Sequence, residues 1–359
     1  MAEWEEGHAR PTIGQLRRLA ELYRRPLAVL FLSEPPQDFD AIRDFRRLHG
    51  VQEEELSDNL QDELRRAQEL RDAALALVDD EDRLPTFPLS AALGDDPEAT
   101  GERVRTVLAV PAATQLERGD SYQALREWKA AVEALGVLVI QMSSVSLEEA
   151  RGFSVARLPL PVIALNSQDT ANGRTFTLVH ELTHLALHEG GICEWSRERR
   201  LEAAAKRIEA FCNHVAGAAL IPGDLLAAIL KRSTLPNPDA WPDEAIRHLA
   251  RTFKVSEEAL LRRLVVLGYA TNDLYAAKRE EFQRRYEEAR LAASTPIVSY
   301  EKRVVGALGP AYVELAFTAY YRKRLSLSEL SDFLGVRVTN LGKVEREVFG
   351  LSRIPGAEP

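Results

Sequence analysis

A chain of 359 residues, 45% hydrophobic and 28% charged, has material for two or three domains and is neither a disordered tail nor a disulfide-built miniature. Its net charge of −9 argues against a protein dominated by nucleic-acid binding, and two cysteines, Cys193 and Cys212, suit a reducing cytosol better than a disulfide scaffold. No apolar run approaches the roughly 20 residues of a membrane span, and Met-Ala-Glu-Trp-Glu-Glu lacks the basic start and apolar core of a signal peptide, so a cytoplasmic protein without membrane contact is expected.

The first residues form two short helices. Thr12 precedes the apolar series Ile13, Leu16, Leu19, Ala20 and Tyr23, and Pro26 opens the run Leu27 to Leu32. Pro35-Pro36 closes a first unit over 1–36. A helical connector is expected over 37–120. Its main element is a helix from Ser57 to Asp79 with the apolar stripe Leu60, Leu64, Ala67, Leu70, Ala74 and Leu77, its charged opposite face solvated. Leu84–Thr100, with Pro85, Pro88, Pro97 and an acidic tip at Asp95-Asp96, has the composition of a loop.

A third unit, 121–232, alternates helix and strand. Ser121–Leu135 is amphipathic and stops at Gly136; Val137–Met142, Gly152–Val155 and Val162–Asn166 are strands. The last unit, 233–359, is helical. A Pro-containing linker over Ser233–Trp241 leads to a helical pair at Asp243–Phe253 and Ser256–Leu267, with Ser256 as N-cap, and then to a charged helix over Tyr275–Ala293. A final pair, capped by Ser326, broken at Gly335 and restarted at Thr339, has the outline of a helix-turn-helix with Arg322, Lys323, Arg324, Arg337 and Lys343 nearby. Such pairs are common in α-domains, so docking of a partner or substrate is favoured there over DNA contact.

The chemistry concentrates in Arg174–Glu189, which contains H-E-x-x-H as His180, Glu181 and His184. Four residues apart on a helix, the two imidazoles lie on one face and can converge on one ion. A zinc held by two imidazoles and a third ligand keeps a position for water and lowers its pKa to about 7, and Glu181 is placed to take the proton. Phe176, Leu178, Val179, Leu182, Leu185, Ala186 and Leu187 make the helix apolar and buried, where unsatisfied His and Glu are costly; that favours a metal site over two core histidines. The longer motif with a Gly and a third His fails, because Leu187 and Gly190 stand in those places. His188 continues the row, but three ligands along one straight helix spread over about 12 Å, so it is a neighbour of the site. The third ligand must come from elsewhere, most simply from a following helix; the best candidate stretch is Arg207–Pro222, with Glu209 the first choice and His214 the second. Two imidazoles and a carboxylate suit manganese as well as zinc.

These residues carry a resemblance. FTLVHELTHLALH and IEAFCNHVAGAALIP, preceded by RGFS and PVIALN, resemble the ImmA/IrrE family of zinc metallo-endopeptidases. The resemblance implies His180, His184 and Glu209 as zinc ligands, Glu181 as catalytic base, and a mostly helical α+β fold whose small zincin-like sheet packs on the metal-binding helices. In zincin-like proteases an edge strand aligns an extended substrate; by similarity Val162–Asn166, with Val162, Ala164 and Asn166, is the candidate edge. His188, Asn213 and His214 are further candidates for contact with substrate or its oxyanion.

The run from Trp4 through Leu16 to Ala20 is similar to the second half of a phage-repressor-type helix-turn-helix, expected here as a remnant kept for packing. Without its groove-reading helix, direct DNA binding by this segment is not expected. The run Asp44 to Arg46 is similar to family members that join such an end to the peptidase; there an ion pair is expected for Arg43, Asp44 and Arg46. No sensory C-terminal module of the kind found in radiation-response members is expected. Two functions stay open: a zinc endopeptidase cutting a helix-turn-helix repressor or antitoxin, and a transcription regulator in which the peptidase fold is only a binding module.

Overall fold

Three short strands decide the architecture, because all three are buried on both faces. In the computed structural model, β1 (Leu138–Met142), β2 (Gly152–Val155) and β3 (Val162–Asn166) form one sheet in the order β1–β3–β2. β1 runs parallel to β3, with Leu138 opposite Val162; β2 runs antiparallel, with Gly152 opposite Leu165. The structure describes residues 4, 8–23, 25, 27–31, 57–78, 84–111, 116, 119–188, 201–232, 236–292 and 298–350. The expected Arg43–Asp44–Arg46 ion pair and Cys193 lie outside them.

The helices among those residues are α1 (Ile13–Leu22), α2 (Asp58–Ala76), α3 (Pro97–Val107), α4 (Ser121–Glu133), α5 (Ala171–His188), α6 (Leu201–Leu220), α7 (Gly223–Leu230), α8 (Asp243–Phe253), α9 (Glu257–Val266), α10 (Asn272–Ala292), α11 (Tyr300–Leu308), α12 (Pro310–Tyr321), α13 (Leu327–Phe333) and α14 (Val338–Phe349), with a 3-10 turn at Leu27–Phe31. The fold is α+β and mostly helical. Local chemistry accounts for several boundaries. Ser57, Asp120 and Ser256 accept from backbone N–H groups at the starts of α2, α4 and α9, and Ser326 and Glu329 close a capping box on α13. Gly136 and Gly335 end helices at φ +79° and +63°, where a side chain is strained.

Val139, Ile163 and Leu165 join one apolar cluster with Trp128 of α4, Leu178 and Leu182 of α5, Val215 of α6 and Leu261 of α9. Leu138, Ile140, Met142, Val162, Ala164 and Phe153 face the other way, into a cluster with Leu60 and Leu64 of α2, Tyr312 and Phe317 of α12, and Leu341 of α14. The sheet is therefore the wall between two helical layers. No single helix among the described residues is long and apolar enough to cross a membrane; Lys206–Leu220 and Gly223–Leu230 pass such a test only as a pair bent by 52°.

Two expectations change. The stretch read as a loop to Thr100 becomes α3 at Pro97, because Asp96 accepts from the N–H groups of Glu98 and Ala99 and Pro97 fits the first turn. The charged face of α2 is not simply solvated: Arg71 donates to the carbonyls of Arg157, Leu158 and Pro159, and Glu69 pairs with Arg25 near α1.

Half-buried Glu133 of α4 accepts from the Ala311 N–H at the start of α12, 3.4 Å away. Burial, opposed by Lys129, pushes its carboxyl up to about 7 from 4.5. A folded-state pKa raised in this way contributes stability below about pH 4.5 that is lost as pH rises towards 7. Glu133→Gln is expected to flatten that limb, read as a smaller fall in urea midpoint between pH 5 and pH 8 than the wild type shows.

Candidate metal-dependent active site

Helix α5 carries the motif into the core. His180 and Glu181 are fully buried and His184 is 1% exposed. The neighbouring hydroxyls are satisfied along the helix, Thr175 donating to the Ala171 carbonyl and Thr183 to that of Val179. At its N-terminus, buried Asp169 takes Arg151 at 3.2 Å and the Tyr286 hydroxyl, which pins α10 against the start of α5. Burial and the Asp169 charge push the Tyr286 phenol up.

The Nε2 atoms of His180 and His184 lie 3.0 Å apart. Helix α6 crosses α5 and brings Glu209, whose Oε2 is 3.4 Å from His180 Nε2 and whose Oε1 is 3.2 Å from His184 Nε2. Metal–ligand bonds of about 2.0–2.2 Å in a tetrahedron separate neighbouring ligands by about 3.3–3.6 Å, so these spacings are close to those of three corners of one zinc site. Lone pairs converging this closely need positive charge among them, a proton or a metal ion. Burial works against the Glu209 anion, but hydrogen bonds to His180 and His184 outweigh it and hold the carboxyl well below the usual range. Burial likewise works against a charged His184, while the Cys212 thiol and the Glu209 and Glu181 carboxylates push it well above 6.5. Among the described residues, His180, His184 and Glu209 form a group able to hold a metal ion, and the side chain of Glu209, 37% exposed, is its open side.

Glu181 projects from the same helix towards the sheet, where the Ser154 hydroxyl of β2 donates to its Oε2 at 2.9 Å. Ser154 had no assigned role in the sequence. Its signal was the RGFS run, but a bond between residues 27 apart depends on the β2–β3 register. Cys212, one turn beyond Glu209 on α6, is fully buried, as expected of an inert thiol, and burial pushes its thiol up.

Three groups of candidates fall elsewhere. His214 is not beside the histidines: it bonds Glu98 of α3 at 2.7 Å, and buried Arg263 of α9 clamps the same carboxylate at 2.5 and 2.6 Å. Five residues on from Glu209, it faces another side of α6. Arg263, against burial, and His214 hold the Glu98 carboxyl near 2, so the stability from this contact is present above about pH 4.5 and lost as pH falls towards 2. Val162–Asn166 is not an edge, because β3 is hydrogen-bonded on both sides. Val162 and Ala164 are core, and the Asn166 amide donates to the carbonyls of Val145 and Ala150. The outer strand beside α5 is β2. Asn213 is half-buried one turn along α6 from Glu209, and the backbone of His188 ends α5, its side chain lying outside the described residues.

Residues 132–265 match the family model of the IrrE N-terminal-like domain, Peptidase_M78. This segment belongs to the ImmA/IrrE family. It runs from the end of α4 through the sheet and the metal group of α5 and α6 into α9, and the family is one of metallopeptidases. Searches of curated proteins and of solved structures gave no match.

Removing one donor from three leaves two imidazoles that cannot hold a metal tightly. Glu209→Ala is therefore expected to weaken metal retention by at least about 100-fold relative to wild type, in equilibrium dialysis with metal analysis. Retention unchanged in the variant overturns Glu209 as a ligand.

Proposed function

We propose that this chain is a zinc-dependent endopeptidase that cleaves a specific protein, a helix-turn-helix transcriptional repressor or antitoxin, and so derepresses stress-response, prophage or mobile-element genes. The observation that carries the catalytic part is the convergence of two α5 histidines and Glu209 beside a buried carboxylate on the same helix.

His180, His184 and Glu209 would hold zinc, with manganese fitting the same donors. When bound, the ion polarises a peptide carbonyl and activates a water. Glu181 would take a proton from the attacking water and return it to the departing amine, a role for which it must be ionised and held still. Glu181 is fully buried, which keeps bulk water from the carboxylate. An extended peptide strand adding to β2 would lie beside α5, which moves the docking edge from β3 to β2.

The repressor or antitoxin substrate and a cytosolic site of action are proposed on the family resemblance of the sequence. The alternative, a regulator that contacts DNA through α13 and α14, is less favoured. Arg17 of α1 donates to Asp332 of α13 at 3.1 Å, and Phe31 stacks on Phe333, so the N-terminal segment already occupies part of that pair.

Incubation of the neighbouring repressor gene's product with the protein tests the reading. One discrete, zinc-dependent cut is expected, with Glu181→Gln slowed at least about 1,000-fold while its metal content stays at the wild-type level. Equal cutting by the variant removes Glu181 as base; tight repressor or DNA binding without any cut favours the regulator.

A further inference from the structure

Two residues of β2 converge on Glu181. Gly152 and Ser154 are two apart on a strand, so they share the face turned towards α5. The Ser154 hydroxyl donates to Glu181 Oε2 at 2.9 Å, with Ser154 5% exposed and Glu181 fully buried. An ionised carboxylate only accepts hydrogen bonds, so this contact holds one oxygen and with it the plane of the group. Gly152 sets the distance of approach. A Cβ there would lie 2.8 Å from the Ala164 carbonyl oxygen and 3.7 Å from Glu181 Cγ, and would collide with the Thr177 methyl. The missing side chain therefore lets β2 press against the turn of α5 that carries Glu181, and Ser154 reaches its carboxylate because of that closeness.

We propose that Gly152 and Ser154 form a cradle for Glu181 in which Ser154 is a positioning residue of the reaction, aiming the carboxylate at whatever occupies the metal group. The proposal rests on the reading of Glu181 as the base beside a metal. A serine that merely satisfies a buried anion is the competing explanation. The two differ in one respect: only a positioning role changes the affinity of a ligand that bonds both the metal and Glu181.

Acetohydroxamate is such a ligand, since it chelates a metal through two oxygens and shares its proton with an adjacent carboxylate. Cobalt(II)-loaded wild type, Ser154→Ala, Ser154→Cys, Glu181→Gln and the Ser154→Ala/Glu181→Gln double variant would be titrated with it and followed by visible absorption. Cobalt retention should be unchanged throughout. Acetohydroxamate should bind Ser154→Ala about 10- to 100-fold more weakly than wild type, the scale of lost partners around metal sites. Ser154→Cys, which keeps the size and a weaker donor, should fall between, and the double variant should bind no more weakly than Glu181→Gln alone. Wild-type affinity in Ser154→Ala, or fully additive losses in the double variant, overturns the proposal. Should Ser154→Ala fail to fold, the Ser154→Cys titration decides in the same way. Wild type that takes up no cobalt, or takes it up and binds no acetohydroxamate, instead defeats the reading of the site, and the cradle with it.

Discussion

Everything in the centre of this molecule depends on two imidazoles and a carboxylate being brought together inside an apolar helix pair. Buried polar groups are tolerated only when partnered, and here the partners are one another: His180 and His184 share a charge with Glu209 across the α5–α6 crossing. The crossing is fixed by apolar contacts of Leu178, Leu182, Val215 and Ala216, so the packing that stabilises the layer is the same packing that sets donor spacing. A shift of α6 by one residue would turn Glu209 away and leave the histidines without their anion.

The sheet serves this arrangement from behind. Its two apolar faces join helices that lie far apart in sequence, so α2 and the α11–α14 segment brace the strands on the side opposite the metal group. With β3 bonded on both sides and all of its residues buried, the sheet cannot slide without breaking a row of backbone bonds. Its outer strand β2 is thereby held at a fixed distance from α5, close enough that only glycine fits at 152.

What could be read in advance follows the range of the physics. The motif histidines, the start of α2 near Ser57, the N-caps at Ser256 and Ser326, and the stop at Gly136 depend on neighbours within a turn, and local pattern reveals them. Glu209 was legible because a following apolar helix is the nearest source of a third donor. The misplaced residues all depended on pairing at a distance. Val162–Asn166 looks the same in sequence whether central or at an edge, and the position of β2 outside it follows from the chain folding back after β1. His214 was the second choice for a ligand because it lies on the same apolar helix as Glu209; the rotation of α6 and the presence of Glu98 and Arg263 on α3 and α9 turn it into a helix–helix clamp.

The same distinction separates Ser154 from the residues that were found. A histidine four residues from another announces itself, whereas a serine in a four-residue strand is marked only by the RGFS run around it and acquires its role through register. The structure adds a constraint the motif lacks. Glu181 is tied to β2 while His180 and His184 are tied to α6, so the carboxylate and the two imidazoles, though close together on α5, are held by different walls of the site. A change that moves β2 acts on the carboxylate alone, and one that moves α6 acts on the metal group alone. That division lets a single helix carry the candidate metal group and the buried carboxylate on separate supports.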